Sequence, residues 1–121
     1  MRILLLDSRP EADGLMKTLI THMHHQVTLA RSIEQTLAFL AMQTFDCIIC
    51  DLPMAEEEGC GFVKKVATAY DIPCIAHTTP VTELDRQTAL EAGYFDFLPK
   101  PVDYLQLKET LDRISEITNN A

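Results

Sequence analysis

Tryptophan is absent from this chain of 121 residues, and glycine is scarce at four copies. Positive charge is outnumbered by negative. Ten Lys and Arg face 18 Asp and Glu, for a net charge of −8. Proteins that grip nucleic acid meet its phosphates with a basic patch, so this balance argues against direct nucleic-acid binding. No apolar run approaches the roughly 20 residues needed to cross a bilayer. The apolar stretch behind Met1 is broken at Asp7, too early for a signal peptide, and the chain reads as cytoplasmic and without a membrane segment. Repeats, linkers and low-complexity tracts are also missing. Residues 1–121 therefore read as one domain, whose 47% hydrophobic content suffices for a core.

The shortage of glycine bears on nucleotides. A flavin or nucleotide site after a first strand needs glycine or a run of hydroxyls to present backbone N–H groups to phosphate. Ser8-Arg9-Pro10-Glu11 supplies neither, and Pro10 removes a donor. Four cysteines are present, but they form no disulfide or metal pattern. Cys47 and Cys50 have C-x-x-C spacing inside an expected strand, where side chains three apart project to opposite faces. With Cys60 and Cys74 isolated, all four read as buried free thiols.

What is present alternates regularly. Arg2-Ile3-Leu4-Leu5-Leu6-Asp7 reads as a buried strand ending in an acid. Ser8-Arg9-Pro10-Glu11 then fits an S-x-x-E capping box with proline in the first turn. Ala12, Leu15, Met16, Leu19, Ile20 and Met23 mark the buried face of helix one. The histidines of His22-Met23-His24-His25 suit the negative end of that helix better than they suit a metal. Residues 26–30 form a second strand, and Ser32 with Gln35 caps helix two, with Ile33, Leu37, Leu40 and Ala41 inward. Residues 45–51, a run ending in Asp51 before Leu52-Pro53-Met54, read as a central strand. Residues 55–61 look like loop, with Glu56, Glu57 and Glu58 as a solvated acidic stretch. Helix three buries Phe62, Val63, Val66, Ala67 and Tyr70. Strand four covers residues 72–78, and helix four runs to a Gly93 cap over a thin apolar face of Leu84, Ala89 and Leu90. Strand five covers residues 94–98, and the last helix, with Tyr104, Leu107, Leu111 and Ile114 inward, ends near Thr118.

Five strands alternating with five helices predict an α/β fold, a doubly wound (βα)5 three-layer sandwich with a parallel sheet. Asp7, Asp51, Thr78 and Lys100 all fall at or just after strand ends, and in a parallel sheet those ends share one edge. Two carboxylates on neighbouring strands repel each other, and a hard divalent cation or an ammonium relieves this. A carboxylate nucleophile with a cation, an ammonium and a hydroxyl suits phosphoryl transfer onto Asp51.

At these positions the chain resembles the receiver domain of two-component response regulators, over essentially its whole length. The resemblance rests on residues 3–7 and on Asp51-Leu52-Pro53-Met54 with Gly59 eight residues after the acid. It continues in Ile75-Ala76-His77-Thr78 and in Phe97-Leu98-Pro99-Lys100-Pro101. It implies a flavodoxin-like sheet in the order 2-1-3-4-5, carried over from the family. It also implies a phosphorelay switch in which Asp51 receives a phosphoryl group from a sensor histidine kinase or phosphotransfer protein. Asp7, Asp51 and the Pro53 backbone carbonyl would hold Mg²⁺. Thr78 would bond the new phosphoryl oxygen, Lys100 would pair with its charge, and Phe97 would be the aromatic switch. The Lys100-Pro101 peptide bond is expected to be cis. The face of helix four, strand five and helix five would meet a downstream protein, an output domain or a second copy. The chain would then be no enzyme beyond slow self-phosphorylation and dephosphorylation, and could be the first domain of a longer regulator.

Ser8 stands where the family places a second, metal-ligating acid. A neutral hydroxyl is a poor Mg²⁺ ligand, and Ser8 has a competing role as a helix cap. Pro53 and Pro80 stand two residues after Asp51 and Thr78, and neither side chain can position a hydrolytic water, so slow dephosphorylation is expected. A second reading keeps the fold and drops the chemistry. In it the chain is a pseudo-receiver, a phosphorylation-independent interaction module.

Overall fold

The computed structural model describes residues 1–7, 14–51, 57–78 and 83–119. In chain order the elements are β1 (Arg2–Asp7), α1 (Gly14–His22), β2 (Gln26–Ala30), α2 (Ile33–Met42) and β3 (Cys47–Asp51). They continue as α3 (Glu57–Tyr70), β4 (Cys74–Thr78), α4 (Glu83–Ala92), β5 (Asp96–Pro99) and α5 (Tyr104–Asn119). The strands form one parallel sheet in the order β2-β1-β3-β4-β5, as expected.

The central strands are apolar along their length because both faces are covered. Strand alternation divides β3 between two cores. Cys47 and Ile49 join Met16 and Ile20 of α1 and Leu107, Leu111 and Ile114 of α5. Ile48 and Cys50 join Leu40 of α2, Phe62, Val63 and Val66 of α3, and Ala89 and Ala92 of α4. The two cysteines of the C-x-x-C thus lie on opposite faces, and Cys47, Cys50 and Cys74 are buried free thiols. Burial raises the pKa of Cys47 and Cys50 well above the ordinary thiol value, so neither is poised to react.

Element boundaries needed correction at several points. Helix α3 begins at Glu57, so residues 57–61, expected in a loop, are helical. Buried Phe62, Val63 and Val66 pin the helix, and extending it backwards through a glycine costs only about 1 kcal/mol per residue. Strands β3, β4 and β5 begin two residues later than their apolar runs, although Phe45 and Tyr94 are still buried. Leu15, Tyr70, Leu90 and Tyr104, expected on inward faces, are exposed, as is Ala41. A helix lying on a sheet buries a narrow stripe, and these residues flank it. Thr36 and Thr110 take buried positions instead. The Ser8 cap of helix one lies outside the described residues.

The second cap forms as expected, with the Gln35 backbone N–H donating to Ser32 Oγ at 3.0 Å. The Gln35 side chain turns back to accept from the Arg31 backbone N–H at 2.6 Å. Gly93 closes α4 with φ of 116°, a conformation that favours glycine. Among the described residues no helix is long and apolar enough to cross a membrane.

Candidate functional site

Parallel strands end on one edge, and register decides which end residues are neighbours. Asp7 of β1 and Asp51 of β3 are direct register partners. Leu6 pairs with Ala30 and Cys50 pairs with Ala76, so one residue further on Arg31 stands beside Asp7 and His77 beside Asp51. The result is a row across four adjacent strands: Arg31, Asp7, Asp51, His77. Alternation puts Asp7, Asp51 and His77 on the side that carries Ile3, Leu5, Ile49 and Ile75.

Asp7 is almost wholly buried. Like charges on strands about 4.8 Å apart repel by about 3 kcal/mol at an effective dielectric of about 20, so the pair needs compensation. Lys100, just past the end of β5, supplies part of it, with Nζ 2.5 Å from Asp51 Oδ2. Their side chains are 22% and 10% exposed, enough shielding to make the pair more than a screened surface contact. The bond from Lys100 to Pro101 is cis, as the resemblance implied. On the far side Arg31 Nη1 donates to the backbone oxygen of Asp7 at 3.4 Å.

His77 is buried against β5, its Nδ1 3.0 Å from the Leu98 carbonyl. A carbonyl only accepts, so Nδ1 carries the proton. Burial lowers the imidazole pKa, opposed by the Leu98 hydrogen bond and by the charge of Asp51. Phe97 pairs in register with Ala76 and is packed into the core shared with Ala89 and Ala92 of α4. Thr78 ends β4 opposite Pro99. Its side chain, together with all of Ser8, Pro53 and Pro80, lies outside the described residues.

The donor set suits Mg²⁺ in kind, since two carboxylates on adjacent strands match an ion that keeps several waters. The match is weak, because Lys100 already engages Asp51. Among the described residues no three His, Cys, Asp or Glu side chains converge into a metal set.

Sequence reasoning missed two groups. Arg31 and His77 became visible only through register, although each follows a strand residue at the same edge as Asp7 and Asp51. The second group joins β5 to α5. Asp96 Oδ2 accepts from Thr110 Oγ1 at 2.9 Å and from Arg113, while Oδ1 accepts from the Phe97 backbone N–H at 2.7 Å. Arg113 also stacks over Phe95, and a cavity of about 130 Å³ opens beside these residues.

Comparison with known proteins identifies the family and the fold. The family model for the response regulator receiver domain matches residues 3–112. A 14.6 kDa protein from the sodA1 3′ region of Leptolyngbya boryana is 33% identical over 110 residues, covering 88% of this chain and 84% of that protein. The transcriptional regulatory protein CpxR of Klebsiella pneumoniae is 34% identical over 106 residues, 88% of this chain but only 45% of CpxR. The chain thus spans less than half of that regulator. Among solved structures, the chemotaxis response regulator CheY4 of Vibrio cholerae superposes with a TM-score of 0.79 at 26% identity, covering 93% of this chain and 97% of that one. A two-component response regulator from Clostridium difficile reaches a TM-score of 0.86 at 20% identity, covering 98% of each chain, which speaks for the fold.

Proposed function

The chain belongs to the response regulator receiver domain family, and from that premise we propose that it is a phosphorylation-dependent switch with Asp51 as phospho-acceptor. The observation that carries this is the Asp51 carboxylate at the tip of the central strand, partly open to solvent, paired with Lys100 and in register with Asp7.

Asp51 Oδ attacks phosphorus, an O–P bond forms, and the N–P bond of a phosphohistidine on a sensor kinase or phosphotransfer protein breaks. Lys100 stays within reach of Asp51 and neutralises charge that the transfer brings in. Asp7, Asp51 and the Pro53 backbone carbonyl are the groups that would hold Mg²⁺, with Ser8 at most a weak donor. Bound there, the ion would offset charge on the phosphoryl oxygens. The Thr78 hydroxyl is assigned to the new phosphoryl group. Phosphorylation leaves about −2 charge on the site, and the pull on Thr78 biases Phe97 and the α4–β5–α5 face. That face is the surface for a downstream protein, an output domain or a second copy. A proline side chain cannot position a hydrolytic water, and Pro53 and Pro80 follow Asp51 and Thr78 by two residues in sequence, so on this reading hydrolysis is slow and the chain is no enzyme in the ordinary sense.

The test is incubation with acetyl phosphate and Mg²⁺ followed by intact mass. A gain of one phosphoryl group, absent in Asp51→Asn, is the expected result. No gain in the wild-type chain would overturn the reading and leave a phosphorylation-independent interaction module.

A further inference from the structure

The row Arg31–Asp7–Asp51–His77 contains a charge that the proposed chemistry does not use. Arg31 follows β2, whose last residue, Ala30, is fully buried, so the strand end beneath it is fixed. Its backbone N–H is held by the Gln35 side chain, whose own N–H caps on Ser32. Its guanidinium is half-buried and bends over the end of β1 to reach the Asp7 carbonyl. A guanidinium keeps its charge at every pH the protein meets. Among the described residues of this edge, the carboxylates Asp7 and Asp51 are register partners, Lys100 pairs with Asp51, and the Arg31 guanidinium lies at the backbone of Asp7. The sequence, meanwhile, has a neutral Ser8 directly after Asp7.

We propose that Arg31 is a resident counter-charge of the acidic edge: it takes over part of the neutralisation a divalent cation would provide and so weakens Mg²⁺ binding at Asp7 and Asp51. Arg31 is a positioning and charge-setting residue here, acting on Asp7 and not on the phosphoryl group. Asp51, two strands away from Arg31, is matched by Lys100. The two cations thus stand on opposite sides of the row, Lys100 on the Asp51 carboxylate and Arg31 on the backbone carbonyl of Asp7. The inference rests on reading Asp7 and Asp51 as the metal-holding pair, but not on phosphorylation taking place.

Titration of the whole, unphosphorylated chain with MgCl₂, followed by backbone amide NMR shifts, tests it. Arg31→Gln should tighten Mg²⁺ binding by about tenfold, the scale of one unit charge acting on a divalent ion a few ångströms away through solvent. Arg31→Lys should stay within about twofold of wild type, because it keeps the charge. Ser8→Asp should tighten binding independently, and the double variant should bind most strongly. Unchanged or weaker binding in Arg31→Gln overturns the proposal. So does equal tightening by lysine and glutamine, since the effect would then not be charge. Far-UV circular dichroism confirms the fold of each variant. Should Arg31→Gln not fold, Arg31→Met, which keeps the aliphatic stem, decides the question on the same terms. The acetyl phosphate experiment reads Asp51 and this titration reads the metal, so failure of either leaves the other result standing.

Discussion

Helices α4 and α5 pack on opposite faces of the sheet, next to the same edge strand, and they are anchored in different ways. α5 buries Leu107, Leu111 and Ile114, all at 1% exposure or less. Each such side chain contributes about 1.5–3 kcal/mol on burial. The described part of α4 buries only Ala89 and Ala92. A methyl group is worth roughly 0.8 kcal/mol, so the described part of α4 contributes a fraction of what these three residues of α5 contribute. α5 is also tied by polar contacts, through Asp96, Thr110 and Arg113. Phe97 lies in the core on the α4 side, with Ala89 and Ala92. Among the described residues, one edge strand thus meets large buried side chains on the α5 face and only small ones on the α4 face. That asymmetry suits an aromatic residue proposed to move with the state of Asp51, since the elements that shift are drawn from the less stable end of a fold.

The comparison breaks most easily at the α5 anchor. Leu111→Ala should destabilise the protein by about 2–5 kcal/mol, the range for deleting a fully buried leucine. Urea denaturation measures it, and a loss below 1 kcal/mol would mean that α5 is no better anchored than α4. Next in size is the polar tie. Asp96→Ala removes the acceptor for Thr110, Arg113 and the Phe97 amide together, with an expected cost of about 1–3 kcal/mol. Arg113→Ala should cost less, because that side chain is half exposed. If the two substitutions cost the same, the ion pair rather than the buried hydrogen bonds holds β5 to α5.

The strands and α5 were legible from the sequence because their signals are local. Leu107, Leu111 and Ile114 repeat at helical spacing, and acids or a lysine follow apolar runs. The edge that collects Asp7, Asp51 and Lys100 follows from strand alternation with helices, without knowing which strand neighbours which. Arg31 and His77 were not legible, because their place beside Asp7 and Asp51 depends on the register of β2 with β1 and of β3 with β4. The start of α3 was missed because Gly59 and Gly61 look like loop, while the buried residues that hold the helix come later. Tyr104 and Leu15 were misplaced because a sheet accepts a narrower stripe than helical periodicity offers.

A smaller effect comes from pH, on the α5 side of the sheet. Burial lowers the His77 pKa below its ordinary 6.5. Between the lowered folded value and 6.5 the unfolded chain binds more protons, so stability rises with pH across that window. The contribution is complete above 6.5 and is lost as pH falls through the folded value. Denaturation midpoints between pH 5 and 8 should slope upward in the wild type and more weakly in His77→Gln. His25, also lowered by burial, keeps part of the slope in that variant. An unchanged slope would remove His77 from the account.

The smallest effect belongs to α4 and is the sharpest statement about it. Leu90 is 42% exposed on this helix, so Leu90→Ala should change stability by no more than about 0.5 kcal/mol. The same result would follow from any exposed leucine, and stability alone therefore does not isolate the helix. Hydrogen exchange does. With only two alanines as its described anchors, α4 should open locally without the rest of the fold, so its amides should exchange faster than those of α5 and be insensitive to Leu111→Ala. Amides of α5 should instead slow down or speed up with global stability. Acetyl phosphate should then alter protection in α4 first, because the ring of Phe97 packs on that side. Equal protection of the two helices would mean that the difference in burial does not reach the dynamics, and that α4 is not the element this edge releases.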